Sequence, residues 1–166
     1  MKKILFCLVT LAVALSSVSF AKDLKIGYVD VFAVFNEYTK TKDYEAILAK
    51  KKEVEEGKLN KRKEKIEKLQ NKLTLLKEEE REKEEEKIID AAREYRKMEK
   101  KVVTDLKKER DEKMKEIIED INKIIEKYAQ KGGYDIIVNK TSVLYGQKTM
   151  DMTAQILKQA NKKYKK

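Results

Sequence analysis

The sequence predicts a mostly α-helical α+β protein, in which a long antiparallel helical hairpin stands on a small β body formed between subunits. The stretch from Tyr38 to Lys131 is rich in helix formers and contains no proline and one glycine, Gly57. Short β-like segments flank this stretch, one near each end of the chain. Since an isolated strand cannot satisfy its backbone hydrogen bonds, the two ends must meet and the helical stretch must fold back.

Residues 1–21 differ in composition from the rest of the 166-residue chain. Two lysines precede an apolar run, residues 4–15, and Ser19 and Ala21 fit the small-x-small pattern of a cleavage site. The run is too short to span a bilayer, so it predicts a secretory signal peptide that is removed after Ala21, with a retained anchor as the alternative. Cys7 would leave with the signal, and the exported chain would contain no cysteine.

The first predicted body segment, residues 22–43, begins with a strand over residues 24–31. Apolar residues occur on both of its faces, which is typical of a strand that is largely buried. Asp30 is placed to cap a short amphipathic helix. The residues that recur at helical spacing in this helix are Val31, Val34, Phe35 and Tyr38.

The second predicted body segment, residues 132–166, starts with a double glycine, which is typical of a helix C-terminus because glycine accepts positive φ. Residues 134–139 predict a strand, and residues 143–145 predict a shorter one. A last helix follows, capped by Thr149 or Asp151. Its predicted buried face comprises Met150, Ala154, Leu157, Ala160 or Asn161, and Tyr164.

The predicted hairpin covers residues 44–131 and carries two apolar seams at coiled-coil intervals. The first seam comprises Leu59, Ile66, Leu69, Leu73 and Leu76. The second comprises Ile88, Ala92, Tyr95, Val102, Leu106, Met114, Ile117, Ile121, Ile124 and Tyr128. The eleven residues between them, 77–87, are all charged and lack a seam, so we expect the hairpin turn within this run.

The chain is basic, with 40 Lys and Arg residues against 30 Asp and Glu. The excess lies on the first arm, where residues 44–76 carry ten basic and six acidic side chains, and in residues 132–166, which carry seven and two. An exported basic protein is attracted to anionic lipid surfaces and to acidic polypeptides. A charge that merely keeps the surface soluble is the alternative, and export makes nucleic acid an unexpected partner.

The residue types present exclude most catalytic chemistry. The chain has no His, and its one Cys belongs to the signal, so the exported protein lacks an imidazole base, a thiol nucleophile and the usual zinc ligands. It also lacks a glycine-rich phosphate loop. Carboxylates are abundant, but on charged helix faces they are typically i,i+4 partners of Lys and Arg. The sequence therefore predicts a protein that is not an enzyme and that uses no cofactor or metal.

The predicted sheet is small for the hairpin that it must carry. Three short strands and one or two helices bury too little apolar surface to stand alone beside a long protruding hairpin. Strand edges and apolar strand faces are available for pairing between chains. We therefore expect the protein to self-associate.

The order of these elements resembles the Skp (OmpH-like) periplasmic chaperones over essentially the whole exported chain. The matching parts are residues 26–31 with Phe32 and Phe35, the charged helical stretch, residues 135–138 with 143–145, and, most closely, residues 151–159. The resemblance implies a periplasmic homotrimer whose three hairpins enclose a cavity for unfolded outer-membrane proteins. It also implies basic hairpin tips, which could meet an anionic membrane surface, whereas residues 77–87 carry four basic and seven acidic residues.

Three sets of candidate residues follow. The trimer body is assigned Ile26, Tyr28, Phe32, Phe35, Ile136, Val138, Val143 and Tyr145. The basic arm that would face a client is assigned Lys61, Arg62, Lys63 and Lys65, and a hinge is assigned Val54, Gly57 and Arg110. The hinge follows from a turn near residue 82, which would place residues 51–57 opposite residues 107–113, both without a continuous apolar seam. Alternatively, ion pairs such as one between Glu55 and Arg110 would hold the two arms together at this position, and there would be no hinge.

The favoured function is that of an ATP-independent holdase, in which basic arms attract an unfolded client and apolar seam residues hold it by many weak contacts. The alternative is a structural coiled-coil spacer or adaptor of the cell envelope. A nucleic-acid binder is disfavoured by the signal peptide and by the scarcity of aromatic residues on the arms.

Overall fold

The computed structural model describes residues 23–165, so the predicted signal peptide, residues 1–21, lies outside the described residues. The fold is mostly helical with a small sheet, as predicted, and the sheet has two strands. In chain order the elements are β1 (Ile26–Val29), α1 (Val31–Glu37), α2 (Thr39–Leu73), α3 (Glu78–Gly132), β2 (Ile136–Asn139) and α4 (Thr153–Tyr164), with 3₁₀ turns at Lys140–Ser142 and Lys148–Met150.

The two ends of the chain meet in the sheet, as the sequence predicts. Strands β1 and β2 are parallel, and their register places Tyr28 opposite Val138. Parallel strands need a long crossover connection, which the helices α1 to α3 provide. On the other side of β1, the Met152 N–H donates a hydrogen bond to the Tyr28 carbonyl oxygen at 2.9 Å.

The predicted third strand, residues 143–145, is not a strand in the described part of the chain. Residues Lys140–Ser142 form a 3₁₀ turn instead, and Leu144 and Tyr145 project into solvent. The physical reason is that the free side of β1 is already occupied, because Tyr28 bridges to Asp151 there. The prediction of a three-stranded sheet is therefore wrong for the single chain, and two apolar side chains are left exposed.

The core of the body lies where α1 and α4 pack against the last third of α3. Its buried members are Val29, Val34, Tyr38, Ile117, Ile121, Ile124, Met152, Ile156 and Ala160. The predicted cap of α1 is present, since the Ala33 N–H donates to Asp30 Oδ1 at 2.9 Å. Because three core residues belong to α3, the body core reaches well into the residues that the sequence assigned to the hairpin.

The buried face of α4 differs in part from the predicted one. Met152, Ile156 and Ala160 point inward, whereas Ala154 is exposed. Met150, from which the prediction started, belongs to the preceding 3₁₀ turn, so its spacing does not continue into the helix. Met152 occupies the N-cap position, although Asp151 Oδ1 still accepts a hydrogen bond from the Thr153 N–H at 3.0 Å.

The hairpin consists of α2, with 35 residues, and α3, with 55 residues. At 1.5 Å per residue these helices are about 50 Å and about 80 Å long. The turn comprises residues 74–77, so the prediction of a turn within residues 77–87 is wrong: the acidic run is the first part of α3. Glu78, Glu79 and Glu80 occupy the first turn of α3, where the helix dipole favours negative charge.

The position of the turn also corrects the pairing between the arms. Lys51 forms an ion pair with Glu109, and Lys72 Nζ lies 3.6 Å from Glu84 Oε1. A turn near residue 82 would have placed Lys51 opposite Lys113 instead. Residues 51–57 therefore face the segment around residues 101–109, several residues nearer the tip than predicted.

Candidate functional site

The junction between the body and the hairpin is held by a cluster of ion pairs. Lys40 Nζ donates to Glu116 Oε1 at 2.8 Å and to Asp120 Oδ2 at 2.5 Å, and Lys113 Nζ donates to Glu116 at 2.6 Å. Burial lowers the pKa of Lys40, but the hydrogen bonds to Asp120 and Glu116 outweigh it and raise this pKa to about 12. Hydrogen bonds from Lys113 and Lys40 lower the pKa of Glu116 to about 2. The cluster joins the start of α2 to α3.

We expect the ion pairs of Lys40 to make stability depend on pH in two windows. The stabilisation from Glu116 is present above its usual pKa of 4.5 and is lost as the pH falls towards 2. That from Lys40 is complete below 10.5 and is lost as the pH rises towards 12. Lys40→Met should therefore lower the free energy of unfolding at pH 7 by about 1 kcal/mol and should reduce the loss of stability between pH 4.5 and 2.

Thermal melting followed by circular dichroism across this pH range would measure the effect. Lys42→Met is the matched control, since Lys42 pairs with Glu37 at 2.6 Å but both side chains are more than half exposed. A special role for the Lys40 cluster would be contradicted if Lys40→Met and Lys42→Met lost the same stability, or if neither variant changed the acid transition.

The two apolar seams face each other along the hairpin, but hollows interrupt their contact. One hollow, of about 290 Å³, is lined by Lys51, Glu55, Met98, Lys101, Val102, Asp105 and Leu106. Another, of about 400 Å³, is lined by Lys63, Ile66, Glu67, Gln70, Ala92, Tyr95 and Arg96. Each hollow has apolar walls between charged rims, so seam residues can be reached from solvent at these levels.

The structure places two of the three predicted hinge residues close to the first hollow. Val54 and Gly57 lie in the same turns of α2 as Glu55, Val54 is largely exposed, and a Cβ atom at Gly57 would meet no atom within 4 Å. Arg110 lies nearer the body and bonds to Asp111 at 3.0 Å. Glu55 bonds to Lys58 at 2.6 Å, so the alternative ion pair between Glu55 and Arg110 is absent.

The predicted basic arm carries a local excess of positive charge, with four basic residues around one carboxylate, Glu64. Lys61, Arg62, Lys63 and Lys65 are all exposed, and none of them has an ion-pair partner within residues 23–165. Nearer the body on the same helix, lysines are neutralised: Lys51 by Glu109, Lys52 by Glu56 and Lys58 by Glu55. The positive potential of α2 is therefore concentrated beside the second hollow, which Lys63 itself lines.

The predicted trimer residues divide into three groups in the single chain. Ile26, Phe32, Ile136 and Tyr145 are exposed, Phe35, Val138 and Val143 are partly buried, and Tyr28 is buried. The ring of Tyr28 packs against Gly146, and its hydroxyl donates to the Gln147 carbonyl oxygen at 3.4 Å. Leu24 and Leu144 are also exposed; both belong to predicted strands but were not assigned to the trimer body.

The turn at the tip of the hairpin carries exposed apolar and basic side chains, and the acidic residues Glu78, Glu79 and Glu80 follow it directly at the start of α3. Lys72 and Lys77 flank the turn, and the side chain of Leu75 is 84% exposed. Glu84 accepts a hydrogen bond from Lys87 at 2.8 Å, which lowers its pKa. Because Glu78, Glu79 and Glu80 lie next to Lys77, the end of the hairpin still departs from the basic tip that the resemblance implies. Among residues 23–165, no helix has the length and apolarity to cross a bilayer, and no cluster of three or more potential metal ligands occurs.

A helical hairpin rooted in a small body of two parallel strands defines a known class of fold. The crystal structure of a candidate outer membrane chaperone (OmpH-like) from Caulobacter crescentus CB15 matches it with a TM-score of 0.78, over 84% of this chain and 85% of that chain, at 10% sequence identity. Residues 25–159 match the family described as Outer membrane protein (OmpH-like), and the chain belongs to this family. No curated protein matches the sequence significantly.

Proposed function

We propose that the protein is an ATP-independent periplasmic holdase, which binds unfolded outer-membrane proteins between the helical arms of a homotrimer and prevents their aggregation. The observation that carries this proposal is the accessible apolar hollow beside unpaired basic residues on one hairpin. Membership of the OmpH-like family supports it, as does the likeness to a candidate outer membrane chaperone.

The chemistry of the arms suits reversible holding. The unpaired charges of Lys61, Arg62, Lys63 and Lys65 raise the rate of encounter with an acidic client. Seam residues such as Ile66 and Tyr95 then offer weak apolar contacts in the hollows. Because each contact is weak, the client can leave without nucleotide hydrolysis, and no step requires a catalytic group or a cofactor.

The proposal predicts that the purified protein suppresses aggregation of a β-barrel precursor diluted from urea. Light scattering should fall in proportion to the added protein and should approach zero near equimolar trimer. A designed coiled coil of similar length and charge is the control. An unchanged scattering curve would contradict the holdase and would favour the structural spacer.

We also propose that the hairpin bends at a hinge, whose position follows from the corrected pairing between the two arms. Residues 51–57 and the facing segment, 101–109, meet at the first hollow, so amide hydrogens there should exchange faster than those of residues 66–73. Gly57→Ala should slow this exchange, because alanine is about 1 kcal/mol more favourable than glycine inside a helix and its Cβ fits without contact. Uniform protection along both arms would show that the arms do not bend at this level.

An anionic membrane surface is the second proposed partner, at the tip. Leu75 can enter the interfacial region while Lys72 and Lys77 approach lipid phosphates, and Glu78, Glu79 and Glu80 oppose this attraction. This contact would bring a loaded hairpin to the membrane that its client must enter.

A further inference from the structure

A cavity in the body, away from the arms, is surrounded by lysines. It has a volume of about 210 Å³ and lies between the end of α3 and α4. The residues that line it are Ile124, Lys127, Tyr128, Lys131, Gln159 and Lys163. Three of the six are cationic and none is acidic, so the cavity has a positive potential.

These three lysines have no partner of their own. Within residues 23–165, Lys127, Lys131 and Lys163 form no ion pair and no side-chain hydrogen bond. The nearest acidic residue in sequence, Glu126, accepts a hydrogen bond from Gln130. The charges are therefore available to a ligand.

The end of α3 does not account for these charges either. A helix C-terminus attracts lysine through its unpaired carbonyl groups. Here the carbonyl of Ala129 accepts from the Tyr134 N–H at 3.0 Å, and that of Gly132 accepts from Lys25 Nζ at 2.7 Å. Since backbone amides and Lys25 already satisfy this helix end, Lys131 is not needed as its cap.

Another hollow, on the outer side of α3, has the same number of lysines but also contains acidic residues. It is lined by Thr104, Lys107, Lys108, Asp111, Glu112 and Lys115. It also contains three lysines, but two carboxylates accompany them, and Lys108 lies 3.9 Å from Glu112. The two sites therefore contain the same number of lysines. They differ because acidic residues accompany the lysines only in the hollow on α3 and not in the cavity between α3 and α4.

We propose that the cavity between α3 and α4 binds a phosphate group, either free or at the head of a phosphorylated lipid. Lysine binds phosphate as a point charge, and three such charges match a dianion better than they match a single carboxylate. Gln159 and Tyr128 add hydrogen-bond donors, and Ile124 supplies an apolar floor. The volume is below the roughly 300 Å³ of a drug-sized pocket, which suits one headgroup and not a whole lipid.

The test uses the assembled protein and two probes. Inorganic phosphate is titrated at low ionic strength and followed by calorimetry and ³¹P NMR. Phosphatidylcholine vesicles, with or without phosphatidic acid, are tested by flotation. The site variant is the triple replacement Lys127→Gln, Lys131→Gln and Lys163→Gln. The matched control is Lys107→Gln, Lys108→Gln and Lys115→Gln, which removes the same charge from the hollow that also contains Asp111 and Glu112.

We expect saturable binding of phosphate, with one site per chain, that is about tenfold weaker in the site variant and unchanged in the control. If free phosphate releases bound vesicles, the ligand of the cavity is the phosphate of a lipid headgroup. If the protein binds phosphate but not vesicles, the ligand is a free anion. If the triple variant melts early, Lys163→Gln alone should still weaken binding.

Three results would overturn the proposal. One is an equal loss of binding in the two triple variants, which would indicate diffuse charge. Another is phosphate binding that does not saturate. The third is phosphate binding that is as strong in the site variant as in the unaltered protein. Vesicle binding that is lost only in Leu75→Asp would place the lipid contact at the tip of the hairpin and leave free phosphate as the ligand of the cavity.

Discussion

Replacing Leu144 and Tyr145 together by aspartate should convert the proposed trimer into folded monomers. Both side chains are exposed in the single chain, where they contribute nothing to the core. In a trimer with its β body between subunits we expect them to be buried, so each chain would bury two unpaired charges at a cost of several kcal/mol. Symmetry repeats this cost at every interface. The mass should fall threefold in light scattering, while the helical circular dichroism should be retained.

A matched control separates this interface from the arms. Ile89→Asp with Val103→Asp makes the same kind of change at two exposed apolar residues of α3. If the control dissociates and the body variant keeps its mass, the chains associate through their hairpins, as a spacer would. Tyr28→Asp is a poorer test, because Tyr28 is buried within the single chain and a charge there should unfold the body itself.

Sequence patterns predicted the features that depend on neighbouring residues. The strand before Asp30, the cap at Asp30 and the glycine end of α3 are each specified within a few residues, and the structure contains all three. The apolar seams of the hairpin were also predictable, because the spacing of apolar residues along a helix depends only on the sequence of that helix. Leu59 and Ile88 are buried as expected, whereas Met114 is exposed and Leu76 belongs to the turn.

The errors concern features that depend on distant residues. The turn at 74–77 contains neither glycine nor proline, and the acidic residues after it suit a helix N-terminus as well as a tip. The strand at 143–145 failed because Asp151 occupies the edge of β1, which no local pattern reveals. The Lys40 cluster joins residues 76 and 80 positions apart, so only the packed fold brings it together.

Reversing the charge of the basic arm should slow client capture about tenfold or more at low ionic strength. The change is Lys61→Glu, Arg62→Glu, Lys63→Glu and Lys65→Glu. These side chains have no ion-pair partner within the described residues, so their whole charge acts on an approaching client. At about 0.01 M salt the screening length is about 30 Å, and at about 1 M it is about 3 Å, so the effect should nearly vanish at high salt.

Stopped-flow fluorescence of a labelled, unfolded β-barrel precursor would measure the capture rate. The matched control reverses four unpaired lysines of the body, Lys148, Lys158, Lys162 and Lys165, and so produces the same change in net charge away from the arms. If both reversals slow capture equally, net charge alone attracts the client. If capture responds neither to salt nor to the arm reversal, the attraction does not come from charge, and the apolar walls of the two hollows are left to supply it.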